Sequence, residues 1–183
     1  MIIIKRESAP AAEPNVRHKR GQMNSEVPKE TLGLAGEYAV ASELCRRGIY
    51  AQLTLGNRKR TDLLVENDSS MLRIQVKSKQ KREWPGIKGI IGNDIVLVLV
   101  DFEKKSLDSR PDFYVLISDD WGRVIDTRCI KTGHVKNGKV IVSQCNVPTW
   151  NDGYVGMGIK PSDVQEYKEK WDKVETCLTR RST

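Results

Sequence analysis

The sequence predicts an α/β fold in which a mixed central β-sheet is flanked by helices, on three observations. Residues 95–102, IVLVLVDF, are apolar almost throughout, the pattern of a strand covered on both faces. Residues 61–79, TDLLVENDSSMLRIQVKSK, alternate in polarity and are split by NDSS, a hairpin turn signal. Helical spacing of apolar residues marks one segment before these strands and another near the end of the chain. A sheet with helices packed against it buries all of those faces.

Taken in order, residues 31–48 read as a helix stopped by Gly48. Strands are expected at 50–55, 62–66, 72–79, 95–102 and 113–118, with short ones near 124–126 and 139–144. Residues 81–93, KREWPGIKGIIGN, are turn-rich and are expected to form a short helix or a mobile loop, and residues 146–159 a loop. Pro161, Ser162 and Asp163 open a last helix through Leu178 that buries Val164, Tyr167, Trp171 and Val174. The order is helix, three-strand meander, central strand, further strands, closing helix. Residues 1–29, with Pro10, Pro14, Pro28 and the basic cluster Arg17, His18, Lys19 and Arg20, read as a flexible basic arm. Met23 is a conceivable natural start. Residues 30–183 then form one domain, with a core at 31–118 and a C-terminal extension at 119–183.

A chain of 183 residues supports one real hydrophobic core. Its net charge of +7 and pI near 9.3 favour an anionic partner such as nucleic acid. Cys45, Cys129, Cys145 and Cys177 are widely spaced, and His18 and His134 are the only histidines, which argues against a zinc site of usual spacing. Free buried thiols in a reducing cytoplasm are the expectation. No apolar run is long enough to span a membrane, and MIII, followed at once by Lys5 and Arg6, is too short for a signal-peptide core. A cytoplasmic location is expected.

The chemistry concentrates in the meander. Gln75 and Lys77 share one face of their strand, while Leu72, Ile74, Val76 and Ser78 share the other. Asp62 is a polar residue at the start of an apolar strand, with twelve residues between it and Gln75. On the first helix, Leu34, Tyr38, Ala41, Leu44 and Cys45 fall on one stripe and Glu37 falls in its middle. A carboxylate on a core-facing surface needs a partner: an arginine at the helix edge, or a cation shared with Asp62. A hard cation such as Mg²⁺, with Mn²⁺ as a substitute, takes oxygen ligands. Asp62 is the principal candidate, joined by the Gln75 amide oxygen, the backbone carbonyl of Val76 and Glu37 directly or through water. Lys77 would orient the attacking water and steady charge on the phosphate.

Glu37 in GLAGEYAVASEL, Asp62, and Gln75-Val76-Lys77 together resemble the PD-(D/E)xK, or restriction-endonuclease-like, nuclease superfamily, in particular its Holliday-junction-resolvase-like members. The resemblance spans residues 32–102 and implies a core of a helix, a three-strand meander, a helix and a further strand. It implies a Mg²⁺-dependent endonuclease that hydrolyses DNA phosphodiester bonds, with Glu37, Asp62, Gln75 and Lys77 at its site. Thr61 stands where the motif has proline, and Gln75 replaces the usual second acid, which keeps a ligand oxygen but removes a charge.

Basic residues flank the motif. Arg58, Lys59 and Arg60 precede Asp62, and Lys79, Lys81 and Arg82 follow the Gln-x-Lys strand, as phosphate contacts or as ordinary solvated strand ends. Trp84 reads as packing with base stacking as the alternative, Asp101 as a strand-end cap, His134 as a surface residue, and Trp121 and Trp150 as core anchors. GIKGIIGN lacks the ending of a phosphate-binding loop. Besides the nuclease, two other functions fit: a nuclease-fold module that binds nucleic acid or a protein partner without cutting, and a structural protein whose Glu37–Lys77 pair holds the helix on the sheet. Duplex, junction, single strand and RNA all fit as substrates, and a homodimer is open because nucleases that cut both strands often pair.

Overall fold

A strand buried at every one of its positions, β5 (Ile95–Asp101), runs through the middle of the molecule. The computed structural model describes residues 26–54, 61–67, 70–144 and 146–179. β5 lies between β3 (Met71–Lys79), which it pairs in parallel, and β6 (Asp112–Leu116), which it pairs antiparallel. β1 (Ala51–Leu53) and β2 (Leu63–Glu66) complete an antiparallel meander with β3, so the sheet order is β1-β2-β3-β5-β6. The mixed α/β sheet expected from the sequence is present.

Alternation in β5 divides the interior into two cores. Val96, Val98 and Val100 pack with Leu63, Ile74 and Val76 beneath α1 (Lys29–Arg46), and Trp171, Val174 and Leu178 close the same layer. Ile95, Leu97 and Leu99 face the opposite layer, with Trp84, Trp121 and Tyr114. Residues beyond 118 thus supply both cores, so the C-terminal extension is integral rather than appended.

The helix face differs from expectation. Leu32, Gly36, Val40, Glu43 and Leu44 are buried, while Leu34, Tyr38 and Cys45 are exposed. Gly36 sets this rotation. A Cβ there would collide with Ser78 Oγ and lie 3.1 Å from Ser78 Cβ, so the bare glycine backbone presses onto β3. Glu37 therefore sits on the rim of the buried face, and Glu43 is the carboxylate inside it. Arg46, Arg47 and Arg110 all pair with Glu43, and Arg110 also binds Glu169, which ties α1 to the β5–β6 loop and the C-terminal segment. Gly48, at φ +76°, ends the helix as expected.

Several elements depart from what the local pattern predicts. Residues 84–87 form β4 (Trp84–Ile87) rather than a helix or loop, and they pair with β9 (Met157–Ile159) inside the expected 146–159 loop, which also holds β8 (Pro148–Trp150). Each pairing joins short segments, and the β4–β9 pair bridges about seventy residues of sequence with a register shift between Trp84 and Ile87, so no regular alternation announces it. The connection from β3 to its parallel neighbour β5 thus carries a strand where the resemblance implied a helix. The expected strand at 124–126 is helical: α2 (Ser118–Ile125) continues into a π-helical turn, Asp126–Ile130. Trp121, Val124, Ile125 and Cys129 fall at helical spacing in the core, and Asp120 caps the start by accepting from the Ile117 N–H at 2.9 Å. The short strand expected at 139–144 is β7 (Val140–Val142), paired with β8.

The closing helix is divided. Two short 3₁₀ turns, Pro161–Asp163 and Gln165–Tyr167, precede α3 (Asp172–Thr179). Between the second turn and α3, Glu169, at φ +57°, donates its N–H to the Phe113 carbonyl of edge strand β6 at 2.9 Å. Val164 and Tyr167 enter one core while Trp171 and Val174 enter the other. A segment that passes around the sheet edge from one layer to the other cannot be a single straight helix. Residues 1–25 of the expected arm lie outside the described residues, but residues 26–28 lie against the body. Val27 donates its N–H to Gln80 Oε1 at 3.0 Å, and its carbonyl accepts from Gln80 Nε2 at 2.7 Å. Of the described cysteines, Cys129 is buried, Cys177 half-buried and Cys45 exposed. Among the described residues no helix is long and apolar enough to cross a membrane.

Two outcomes test this packing. Gly36→Ala should cost about 1–3 kcal/mol in chemical denaturation by forcing α1 off β3, and Ser78→Ala in the same chain should recover part of that loss. Hydrogen bonding from Arg110 is the largest influence on Glu43 and, against burial, holds its pKa below the ordinary 4.5. The stability from that network is complete above about pH 4.5 and is lost as pH falls through the lowered native value. Glu43→Gln should cost about 1–3 kcal/mol at pH 7, and the difference from wild type should shrink in melts taken at acid pH.

Candidate active site

The site grows out of a mismatch in strand length. β2 pairs only with the first residues of β3, from Glu66↔Met71 to Leu63↔Ile74. β3 then continues to Lys79 with β5 alone on its other side. Where β2 ends, the Asp62 N–H donates to the Ile74 carbonyl at 2.9 Å, and Asp62 Oδ2 accepts the Val76 N–H at 2.6 Å. A carboxylate thus occupies the position of a missing strand. The backbone of Asp62 is fixed from β1: Thr54 donates its N–H to the Asp62 carbonyl at 3.0 Å and its hydroxyl to the Thr61 carbonyl at 2.8 Å. In a strand the N–H and C=O of one residue point to the same edge, so the Val76 carbonyl faces the edge that Asp62 occupies.

Lys77 Nζ lies 4.0 Å from Asp62 Oδ2, with 43% of its side chain exposed. Glu37 approaches from the rim of α1. Burial raises its pKa above the ordinary value, the neighbouring Asp62 charge raises it further, and Lys77 opposes both. Three of the expected site residues, Glu37, Asp62 and Lys77, therefore act on one another. Gln75 shares the Lys77 face but is 9% exposed, and no hydrogen bond joins its amide to the other three. Among the described residues no group of three His, Cys, Asp or Glu side chains gathers to hold a metal ion, so the candidate donors are two carboxylates, a carbonyl and, at a remove, an amide.

The basic residues separate into different roles. Lys79 does not present its charge to solvent as expected. It is 2% exposed, its ammonium is 2.6 Å from Asp101 and 2.9 Å from Glu103, and it lies over the Trp84 ring. Burial requires that pairing, so Lys79 is structural. Asp101 also accepts the Glu103 N–H at 2.8 Å, which makes it both a strand-end cap and the partner of Lys79. Lys81 is exposed but pairs with Glu26 at 2.8 Å, and Arg82 is exposed without an ion pair among the described residues. Arg58, Lys59 and Arg60 lie outside the described residues. Trp84 is buried with its indole N–H on the Val100 carbonyl, Trp121 is buried, and Trp150 packs against the same core while donating to the Gly156 carbonyl. His134 is half-buried beside the Trp150 ring.

Lys77 opens into a groove of about 780 Å³ between the start of α1, the end of β3 and β4. Lys29 and Lys160 line it, and both lie outside the motif residues. Neither has a local signature: Lys29 is brought there by the helix start and Lys160 by the pairing of β9 with β4.

Glu37 offers a test of what this cluster is for. Its native pKa is raised, so the native state holds the proton more tightly than the unfolded chain does. Its contribution to stability therefore falls as pH rises from the ordinary 4.5 through the raised native value. At neutral pH the charged Glu37 is a cost to the fold. Glu37→Gln should raise the melting temperature at pH 7 and change it much less at pH 4. A lower melting temperature at pH 7 would instead mark the Glu37–Lys77 pair as a device that holds α1 on the sheet.

No family model matches the chain, and no curated protein does. Among solved structures the chain is similar to a bacterial homing endonuclease, I-Ssp6803I, at 17% identity and a TM-score of 0.47, over 85% of this chain and 100% of that one.

Proposed function

We propose that the chain is a Mg²⁺-dependent endonuclease that hydrolyses DNA phosphodiester bonds at the open edge of β3, with Mn²⁺ as a substitute metal. The observation that carries this reading is the meeting of Glu37, Asp62 and Lys77 where β2 stops and β3 continues. Two carboxylates held within electrostatic reach of each other, beside a backbone carbonyl, form an oxygen donor set suited to a hard cation. Glu37, Asp62 and the Val76 carbonyl would hold it, and the Gln75 amide oxygen would join if its side chain turned to the edge. The bound cation supplies Lewis-acid polarisation of the phosphate and acidifies a bound water. Asp62 is kept in place by the Val76 N–H, so one of its oxygens is already oriented. Lys77, half exposed next to Asp62, positions the attacking water and stabilises charge gathering on the non-bridging oxygens as the P–O bond breaks.

One observation favours a second reading, a nuclease-fold module that binds nucleic acid without cutting it. The usual second acid is an amide here, and Gln75 is nearly buried and not bonded to the cluster.

The two separate in a cleavage assay on duplex, junction and single-stranded DNA in Mg²⁺ or Mn²⁺. The nuclease reading expects cleavage that falls at least about 100-fold in Asp62→Ala and in Lys77→Ala, with the melting temperature of each variant showing a retained fold. Binding with no cleavage of any form selects the second reading. Gln75→Glu should tighten Mg²⁺ binding in calorimetry, and an unchanged affinity would remove Gln75 from the ligand set.

A further inference from the structure

A residue in a regular strand sends its N–H and C=O to the same edge. Asp62 sends them to opposite edges. Its N–H reaches the Ile74 carbonyl on β3 at 2.9 Å, while its carbonyl turns the other way and accepts the Thr54 N–H, just beyond β1, at 3.0 Å. The backbone is therefore kinked at Asp62, one position before β2 begins at Leu63. A regular strand would stand this side chain off one face of the sheet. The kink brings Oδ2 to the sheet edge instead, where it accepts the Val76 N–H at 2.6 Å.

Such a kink leaves one backbone group outside the ladder. Thr61 is 7% exposed, and its carbonyl belongs to no strand pairing. A carbonyl withdrawn from water needs a donor. The Thr54 hydroxyl donates to it at 2.8 Å and is the one donor that reaches it among the described residues. The Asp62 carbonyl lies 3.2 Å from the same hydroxyl but already holds the Thr54 N–H. The peptide plane before the Asp62 Cα is thus held at both ends, by Ile74 at its N–H and by Thr54 at its carbonyl. The plane after it is held at its carbonyl by the Thr54 N–H. With both planes fixed, the direction of the Asp62 side chain is fixed as well. Without the hydroxyl, the first plane is free to turn about its bond to Ile74, and the carboxylate swings away from Val76.

We infer that Thr54 is a positioning residue for Asp62: its hydroxyl locks the kink that turns the carboxylate onto the open edge of β3. The inference rests on the nuclease reading for what that carboxylate does, and it adds that the site is aligned from the end of β1 by a residue that touches neither cation nor phosphate. Loss of an outer hydrogen-bond partner of this kind typically costs about 10–100-fold in metal affinity, and a misplacement of about 1 Å can cost about 100-fold in rate.

Thr54→Val keeps the branched shape and removes the donor, and Thr54→Ser returns it. Hydrogen exchange of the Val76 amide, followed by NMR on the full chain in EDTA, reads whether Asp62 still reaches it. Exchange should be at least about tenfold faster in Thr54→Val, approaching that in Asp62→Ala, and within about twofold of wild type in Thr54→Ser. The amide of Val98, buried in β5, should be unaffected throughout. In calorimetry Mg²⁺ should bind at least about tenfold more weakly to Thr54→Val and recover in Thr54→Ser.

Unchanged Val76 exchange in Thr54→Val overturns the inference. Equal acceleration of Val76 and Val98 does so too, because it marks the hydroxyl as general support for the fold, and so does a Thr54→Ser chain that behaves like Thr54→Val. If Thr54→Val does not fold, Thr54→Cys, with a weaker donor, carries the same comparison under the same criteria. A wild-type chain that binds no Mg²⁺ and cuts no DNA ends the nuclease reading, yet the exchange result still decides the role of Thr54. Unchanged Val76 exchange beside Mg²⁺-dependent cleavage that is lost in Asp62→Ala removes the inference and leaves the nuclease.

Discussion

The candidate site depends on one hydrogen-bonding constraint: β3 is longer than the strand that pairs with its outer edge. A backbone N–H removed from water must find a partner, and at Val76 that partner is the Asp62 carboxylate at 2.6 Å rather than another strand. This single substitution of a side chain for a strand fixes the acid, leaves the carbonyl edge of β3 open and places Lys77 next to both. On the other side β5 holds β3 in register from Arg73 to Lys79, so the open edge has a rigid support. Rigid elements around an open edge are what a site for phosphate chemistry requires.

α1 joins this arrangement through a steric rule rather than an electrostatic one. Only a residue without a Cβ fits between the helix and Ser78, so Gly36 determines both the depth and the rotation of the helix. Rotation then decides the fate of two glutamates six residues apart on the same helix. Glu43 turns inward, meets three arginines and has its pKa lowered, with hydrogen bonding from Arg110 the largest cause. Glu37 stops at the rim, where burial and Asp62 raise its pKa with only Lys77 against them. Exposure likewise separates Lys79, enclosed by Asp101 and Glu103, from Lys77, half exposed beside Asp62 and Glu37. A carboxylate with a raised pKa in partly buried, like-charged surroundings is a candidate functional group, and Glu37 is such a group here.

The strands of the main sheet were legible because period-two alternation and the unbroken apolar run of β5 are local properties of the chain. Asp62, Gln75 and Lys77 were legible for the same reason, since strand geometry alone places the last two on one face. β4, β8 and β9 were not, because each is short and β4 and β9 find their pairing far along the chain. The last helix showed its buried residues correctly in Val164, Tyr167, Trp171 and Val174, yet not its break, which follows from the passage around β6. The stripe expected on α1 weighed the apolarity of Leu34 and Tyr38 and overlooked the close approach that Gly36 permits.

By itself, then, the sequence determined the meander, the central strand and the spacing of Asp62, Gln75 and Lys77, because each is written in the alternation of neighbours a few positions apart. Tertiary structure alone decided that Glu43 is the buried carboxylate and Glu37 the rim one, that Lys79 is enclosed, and that Lys29 and Lys160 share a groove with Lys77. Those outcomes depend on Ser78, Arg110, Asp101 and the β4–β9 pair, partners that packing supplies from distant parts of the chain. The energy of a charge is set by what surrounds it in space, and no local pattern contains that.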